Sequence, residues 1–207
     1  MTGFKKYLLF ILAISSTYLA HAQNATQIAY AKLPLKIAIG NHAVGFPYQN
    51  SFSAFNPQLS VGTELALNKS QKHQIIAASS LGFIRNQVIG NTIMLDIDLG
   101  YRYLHKSGVY IETSLGLGVL DQFHPRDIYV QSEVDGTYDK VSDKGTFASL
   151  IGNKMGIGYD FSKRSELPFR LDLSHHFFIQ SPYFDVASFP IMPQSVTSLS
   201  ITYKFKK

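Results

Sequence analysis

The stretch Ser174-His175-His176 is the place in this sequence where residue types and spacing most resemble a catalytic group. In a hydrolytic triad, a histidine takes the proton of a serine hydroxyl and a carboxylate orients the histidine ring. Asp172 and Glu112 could supply that carboxylate. Side chains two apart in a strand share a face, which places Ser174 and His176 together and His175 on the opposite face. Ser174 and His176 are thus the candidate catalytic pair, and the alternative is that His176 only joins an interior polar network.

Other chemistry is poorly represented in the sequence. There is no cysteine, and His42 and His124 lack partners at the spacing of a metal site. Four glycines fall in pairs, but no Lys-Ser or helix follows them as a phosphate-binding loop requires. These are Gly116, Gly118, Gly156 and Gly158. We therefore expect no metal and no cofactor, and we interpret the glycines as small residues that make room for long charged side chains opposite.

Eight segments alternate apolar and polar residues with a period of two, the pattern of a half-buried β-strand. They span residues 33–40, 57–67, 75–84, 92–104, 108–120, 147–161, 168–179 and 195–205. In the fourth, Ile97 and Leu99 belong to an apolar face, and Asp96 and Asp98 to the opposite face. No helical periodicity of useful length follows the first twenty residues. The sequence therefore predicts an all-β fold of eight antiparallel strands.

Every charged residue within these segments lies opposite the apolar face. A soluble barrel would turn these charges to water, whereas a membrane barrel turns them into its lumen. The near-balance of six acids and five bases favours the lumen, because interior charges persist only when they are paired. The predicted lumenal charge network comprises Glu64, Asp96, Asp98, Arg102, Glu112, Lys154, Arg170 and Asp172, and Lys36, Asp160 and Lys204 share its face.

Aromatic residues and connection lengths also favour a membrane barrel over a soluble sandwich or a lipocalin-like barrel. Seven aromatic residues fall on the apolar face at the strand ends beside the short connections, as in the aromatic girdle of a membrane barrel. They are Tyr101, Tyr103, Tyr159, Phe161, Phe169, Tyr203 and Phe205. The connections 41–56, 85–91, 121–146 and 180–194 are predicted to be long, and the three between them short. On this interpretation His175 faces lipid, close to a membrane boundary.

The first 22 residues have the features of a cleavable export signal. Lys5 and Lys6 precede an apolar stretch, and Ala20-His21-Ala22 places small residues where a signal peptidase cuts. The apolar stretch is too short to span a bilayer. We expect residues 1–22 to be a signal peptide and residues 23–207 to form one barrel domain.

The leader, the eight strands and a last strand ending Ile201-Thr202-Tyr203-Lys204-Phe205 resemble the small OmpA/OmpX-type outer-membrane barrels over residues 33–207. The resemblance implies a monomeric, up-and-down transmembrane β-barrel in the cell outer membrane. It also implies outer-membrane lipid, lipopolysaccharide and the barrel-assembly machinery as partners. Two lysines follow Phe205, where such chains typically end in an aromatic residue. The net charge of +5 is too small and too scattered to indicate a nucleic-acid partner.

Three functions remain open. The first is a non-enzymatic outer-membrane protein that acts through its extracellular loops in adhesion, ligand binding or envelope structure. Its candidate ligand-binding residues are Phe46, Tyr48, Phe52, Tyr183, Phe184 and Phe189. The second is a lipid-modifying hydrolase similar to outer-membrane lipid A deacylases, although their His-x-Ser-Asn pattern is here Ser-His-His-Phe-Phe. The third is a narrow transporter of small or apolar solutes. The polar third loop is a possible hairpin.

Overall fold

The computed structural model describes residues 33–45, 54–125, 128–131, 137–165, 167–182 and 191–205. The strands are β1 (Leu35–Val44), β2 (Pro57–Ala66), β3 (His73–Asn86), β4 (Gly90–Leu104), β5 (Val109–Phe123), β6 (Ile128–Gln131), β7 (Tyr138–Val141), β8 (Thr146–Asp160), β9 (Phe169–Ser181) and β10 (Met192–Tyr203). One 3-10 helix spans Phe161–Lys163. Within these ranges, no helix has the length and apolarity needed to cross a bilayer.

Eight strands close into a single antiparallel barrel in the order β1-β10-β9-β8-β5-β4-β3-β2. The first and last strands pair along their length, from Leu35 opposite Tyr203 to Val44 opposite Gln194. Closure leaves no edge strand, so every strand finds backbone partners on both sides. The predicted eight-stranded antiparallel barrel is confirmed.

The distribution of side chains is inverted relative to a soluble protein. On β4 the outward Ile97 and Leu99 are 64% and 60% exposed, whereas the inward Asp96 and Asp98 are 1% and 4% exposed. The same alternation of exposed apolar and buried polar residues runs along β5, β9 and β10. An apolar exterior around a polar interior suits a barrel surrounded by lipid, because the exterior needs no water and the strands satisfy their own backbone groups.

The connection predicted to be long at residues 85–91 is instead a tight turn of residues 87–89. The Asn86 side-chain oxygen accepts the backbone N–H groups of Val88 and Ile89, at 2.8 and 3.1 Å. Gly90 follows with a positive φ of 108°, a conformation that glycine adopts without strain. That turn lets β3 and β4 pair as far as Asn86 and Gly90, beyond the predicted strand ends.

The connection between β5 and β8 contains a separate two-stranded ribbon. β6 and β7 pair antiparallel, with Ile128 opposite Val141 and Gln131 opposite Tyr138. This is the hairpin predicted for the third loop. The short connections at the other end of the barrel are residues 67–72, 105–108 and 161–168. We call that end the short-turn end, and the opposite end the long-loop end.

Candidate functional site

The lumen near the short-turn end is organised around Arg102 of β4. Its guanidinium donates two parallel hydrogen bonds to the Glu64 carboxylate, at 2.8 and 2.7 Å. Its Nε and Nη2 also donate to Glu112, at 2.9 and 2.6 Å. Arg170 forms a further ion pair with Glu64. Bidentate charge-assisted bonds of this kind are strong and geometrically specific, so Arg102 fixes both carboxylates.

Asp172 on β9 extends the same cluster. Its carboxylate accepts from Lys36 Nζ at 2.8 Å and from the Tyr110 hydroxyl at 3.1 Å, and Ser200 also donates to it. The Tyr110 ring lies beneath Arg102, with 4.8 Å from the guanidinium carbon to the ring centroid. Three carboxylates therefore meet three bases and one tyrosine. We call these seven residues the ion cluster: Lys36, Glu64, Arg102, Tyr110, Glu112, Arg170 and Asp172.

A second group of charges lies farther from the short-turn end. Lys154 of β8 donates to Asp98 at 2.6 Å and to Asp96 at 3.4 Å. Ser80 donates to the other oxygen of Asp96. One lysine thus serves two carboxyl groups, whereas the ion cluster has three bases for three carboxylates. A Cβ on Gly116 would meet the Asp98 carboxylate, which would then have to shift.

An interior cavity of about 70 Å³ adjoins Lys154 and the two aspartates. Small residues of β2, β3 and β10 make up much of its wall. Its lining includes Gln58, Asp98 and His176. Each of these three has a buried side-chain atom without a hydrogen-bond partner: Gln58 Oε1, Asp98 Oδ1 and His176 Nε2. A cavity of this size and polarity has room for a few water molecules.

The two candidate catalytic residues face the lumen but do not form a catalytic pair. Ser174 Oγ lies 3.1 Å from Ser198 Oγ, which is its hydrogen-bond partner. The His176 ring lies beside the Phe178 ring, with centroids 5.1 Å apart. Asp172 is occupied by the ion cluster. The arrangement therefore lacks the serine–histidine and histidine–carboxylate hydrogen bonds of a triad.

His175 lies on the exterior, as its alternation predicted. It is six residues from either end of β9 and therefore at mid-strand. Its Nδ1 forms a 2.9 Å hydrogen bond with Thr197 Oγ1 on β10. Strand alternation predicted the face of the barrel on which His175 lies. Its position along the barrel depends on where β9 ends, and β9 extends to Ser181, beyond the predicted end at residue 179.

A chain of neutral hydrogen bonds crosses the lumen near the long-loop end. Asn86 Nδ2 donates to His42 Nδ1 at 3.1 Å, and His42 Nε2 lies 2.8 Å from Gln194 Oε1. An amide nitrogen only donates and an amide oxygen only accepts, so the His42 ring is neutral with its proton on Nε2. Gln194 then donates to Gln180, and Gln180 donates to Gln122 at 3.0 Å.

We call His42, Asn86, Gln122, Gln180 and Gln194 the amide chain. The Gln122 amide ends it by donating to the Ile89 carbonyl. These residues lie beyond the ends of the strands predicted from the sequence, so alternation within those bounds does not reach them. The signal was present, because His42 and the three glutamines occupy inward positions once β1, β5, β9 and β10 are extended to their observed ends.

An apolar plug lies between the amide chain and the charged groups. Along β9, successive inward positions hold Asp172, Ser174, His176, Phe178 and Gln180, so charged, apolar and amide levels are stacked. Phe178 is fully buried at the centre of the plug. The plug consists of Ile84, Met94, Leu120, Ala148, Leu150, Phe178 and Val196.

The aromatic residues predicted to form a girdle all lie at strand ends near the short-turn end, at the ends of β4, β8, β9 and β10. The rings of Tyr159 and Phe161 pack edge-on with centroids 4.9 Å apart, and those of Tyr203 and Phe205 at 5.0 Å. Tyr101 also bonds to His73 Nδ1 at 2.6 Å. Such a position matches the lipid–water boundary of a membrane barrel.

The candidate ligand-binding residues Phe46, Tyr48, Phe52, Tyr183, Phe184 and Phe189 lie outside the described residues, as does the predicted leader 1–22. In the described part of these loops, Phe55 and Ile191 are exposed, whereas Met192 turns into the barrel. No group of three or more potential metal ligands is present among the described residues.

Comparisons with known proteins yield structural similarity alone. No protein-family model matches the sequence, and no curated protein matches it. The solved structures similar to this chain include Neisserial surface protein A, at 11% identity over 84% of this chain and 97% of that one, with a TM-score of 0.47. The outer membrane enzyme PagL is 9% identical over 83% and 99%, with a TM-score of 0.49.

The attachment invasion locus protein of Yersinia pestis, Ail, is also similar, at 12% identity over 84% of this chain and 99% of that one, with a TM-score of 0.49. Independently of these comparisons, the closed barrel has eight antiparallel strands and an apolar exterior. This is the architecture expected from the resemblance to small OmpA/OmpX-type outer-membrane barrels.

Proposed function

We propose that this chain is a non-enzymatic barrel of the cell outer membrane that acts through the loops at its long-loop end, in adhesion, ligand binding or envelope structure. One observation carries the proposal: the lumen is filled at successive levels by the ion cluster, the apolar plug and the amide chain. A filled eight-stranded barrel offers no route through its interior. Contact with other molecules is therefore left to the ends and the exterior.

The hydrolase alternative is weakened by geometry. Ser174 and His176 lie inside the barrel, where they are 5% and 6% exposed, so a lipid substrate in the bilayer does not reach them. The serine is hydrogen-bonded to Ser198 rather than to a histidine. Activation would require both a new hydrogen-bond arrangement and an opening in the barrel wall.

Expression in a Gram-negative host compares the three functions directly. We expect the folded chain in the outer-membrane fraction, with a gel mobility that changes on heating. Planar bilayers containing the protein should show background conductance, and the mass spectrum of lipid A should be unchanged. Sustained conductance would support the transporter, and a shortened lipid A that reverts with Ser174→Ala would support the hydrolase.

The loop proposal is tested by a deletion confined to residues 183–190, because β9 continues to Ser181 and β10 begins at Met192. Cells displaying the full chain should adhere to hydrocarbon-coated glass more strongly than cells displaying the deletion variant, since this loop is aromatic. The matched control removes residues 128–141, the ribbon connection. Equal adhesion by all three chains would contradict a role for the aromatic loops.

A further inference from the structure

The short-turn end of the barrel is rich in basic residues that take no part in the ion pairs of the lumen. The connections 67–72, 105–108 and 161–168 carry five lysines and arginines and one acid, Glu166, which lies outside the described residues. All five are exposed: Lys69, Lys72, Lys106, Lys163 and Arg164. Among the described residues, Asp160 is the carboxylate nearest to these bases along the chain, and it is paired with Lys204. A one-sided charge of this kind creates a local attraction for anions.

Three of these lysines converge on one pocket. A depression of about 550 Å³ is lined by Lys72, Lys106 and Lys163 together with Gln71, Tyr103 and His105. Each lysine comes from a different connection, so only the closed barrel brings them together. Lys163 Nζ donates to Gln71 Oε1 at 3.3 Å, and Lys72 Nζ lies 5.3 Å from the Tyr103 ring centroid. Across the described residues, none of the three lysines is ion-paired with a carboxylate.

The surroundings of the pocket indicate the class of ligand. Tyr103 belongs to the aromatic residues at the rim of the barrel, and it pairs across β4 and β5 with Ile111. Ile111 on β5 and Ile75, which pairs with Tyr101 on the other side of β4, are exposed on the apolar exterior, 56% and 45% respectively. An anionic group held by the lysines would therefore lie directly beside a surface that acyl chains cover. Basic pockets beside apolar membrane surfaces suit phospholipid headgroups.

We propose that this pocket binds the phosphate of an anionic phospholipid in the leaflet that faces the short-turn end. Lys72, Lys106 and Lys163 neutralise the phosphodiester, Tyr103 lies at the level of the glycerol backbone, and one acyl chain lies along Ile75 and Ile111. The proposal concerns a different end of the molecule from the loops and rests only on the insertion of the barrel in a bilayer.

The test uses the full mature chain in nanodiscs of phosphatidylethanolamine and phosphatidylglycerol at three to one, with native mass spectrometry of the lipids retained on the released barrel. We expect phosphatidylglycerol to be enriched over its bulk share. Replacing the three lysines, Lys72→Gln with Lys106→Gln and Lys163→Gln, should abolish the enrichment, with roughly a fivefold loss of selectivity for each lysine near the headgroup. The single variant Lys106→Gln should lose part of it.

The matched control removes the same charge from the long-loop end, by Arg85→Gln with Lys140→Gln and Lys144→Gln. It should retain the enrichment. An unchanged preference in the lysine triple, or an equal loss in the control, would overturn the proposal. A titration with inorganic phosphate in phosphatidylcholine nanodiscs separates the two sources of phosphate, since binding of free phosphate without lipid enrichment would also overturn it.

Folding of each variant is read from the heat-dependent gel shift. Failure of the unmodified protein to insert into the bilayer would overturn both the lipid site and the proposed function. Insertion of the unmodified protein without enrichment of phosphatidylglycerol would overturn the lipid site alone.

Discussion

The two halves of the lumen solve the same packing problem in different ways. Toward the short-turn end, Arg102 and its neighbours fill the barrel with ionised groups that are almost fully paired. Toward the long-loop end, Phe178 and the neutral amide chain fill it with no net charge. Buried ions cost several kcal/mol each in desolvation and are tolerated only when all their partners are present. The ionic half should therefore be the more sensitive to single substitutions.

The part of the lumen around Lys154, between these two halves, has the least complete pairing of polar and charged groups. Asp96 and Asp98 share Lys154, and the cavity beside them is lined by groups with unmatched polar atoms. Buried polar atoms are rarely without partners in folded proteins, and buried water commonly supplies them. Of the unmatched buried side-chain atoms in the described lumen, three lie at this middle level and one, Arg170 Nε, lies in the ion cluster.

The largest expected effect comes from Arg102→Met. It leaves Glu64 and Glu112 without their main partner, which should lower the free energy of unfolding by about 3–5 kcal/mol. Urea unfolding in lipid vesicles, followed by the heat-dependent gel shift, measures it. Arg85→Met, on the exposed exterior, is the matched control and should stay close to the parent. Equal stability of both variants would contradict the importance assigned to the ion cluster.

Phe178→Ala addresses the apolar half. Removal of a fully buried ring should lower the free energy of unfolding by about 3 kcal/mol, from lost burial and the cavity left behind. Bilayer conductance should nonetheless stay at background, because the amide chain and the ion cluster remain. Stable conductance in this variant would show that the plug alone closes the lumen. Phe147→Ala, whose ring faces outward, is the control.

Gln180→Leu should have an intermediate effect, because it interrupts the amide chain between Gln194 and Gln122. Gln194 loses an acceptor and Gln122 loses a donor, and both remain buried, which should cost about 1–3 kcal/mol. The same unfolding assay applies, with Gln71→Leu on an exposed turn as the control. A change smaller than that of the control would mean that water replaces the amide without loss.

The smallest effect concerns the loop before β8. Burial acts to raise the pKa of Asp143, but the backbone N–H groups of Gly145 and His124 and the His124 ring outweigh it, so the pKa lies below its ordinary value of 3.8. The contribution of Asp143 to loop stability is therefore complete above that ordinary value and is lost as pH falls through the lowered pKa.

The Gly145 amide resonance in an NMR titration should report this loss. We expect it to move only in the acid range, and in Asp143→Asn to stay constant with pH. A pH-dependent shift that persists in Asp143→Asn would contradict this assignment.

Sequence alternation determined most of the fold. Period-two patterns identified the eight strands and their faces, because successive side chains in a strand point to opposite sides whatever the rest of the chain does. The same rule separated His175 from Ser174 and His176. Strand ends were less accurate, as at Asn86, where a side-chain hydrogen bond to the turn extends the pairing.

Tertiary structure alone decided which residues meet. Glu64 on β2 and Arg170 on β9 are 106 residues apart, and their pairing depends on the strand register and the closure of the barrel, neither of which a local pattern contains. The assembly of Lys72, Lys106 and Lys163 from three separate turns depends on closure in the same way. Alternation specifies the direction of each side chain, whereas its neighbours across the lumen and around the rim follow from the way eight strands close.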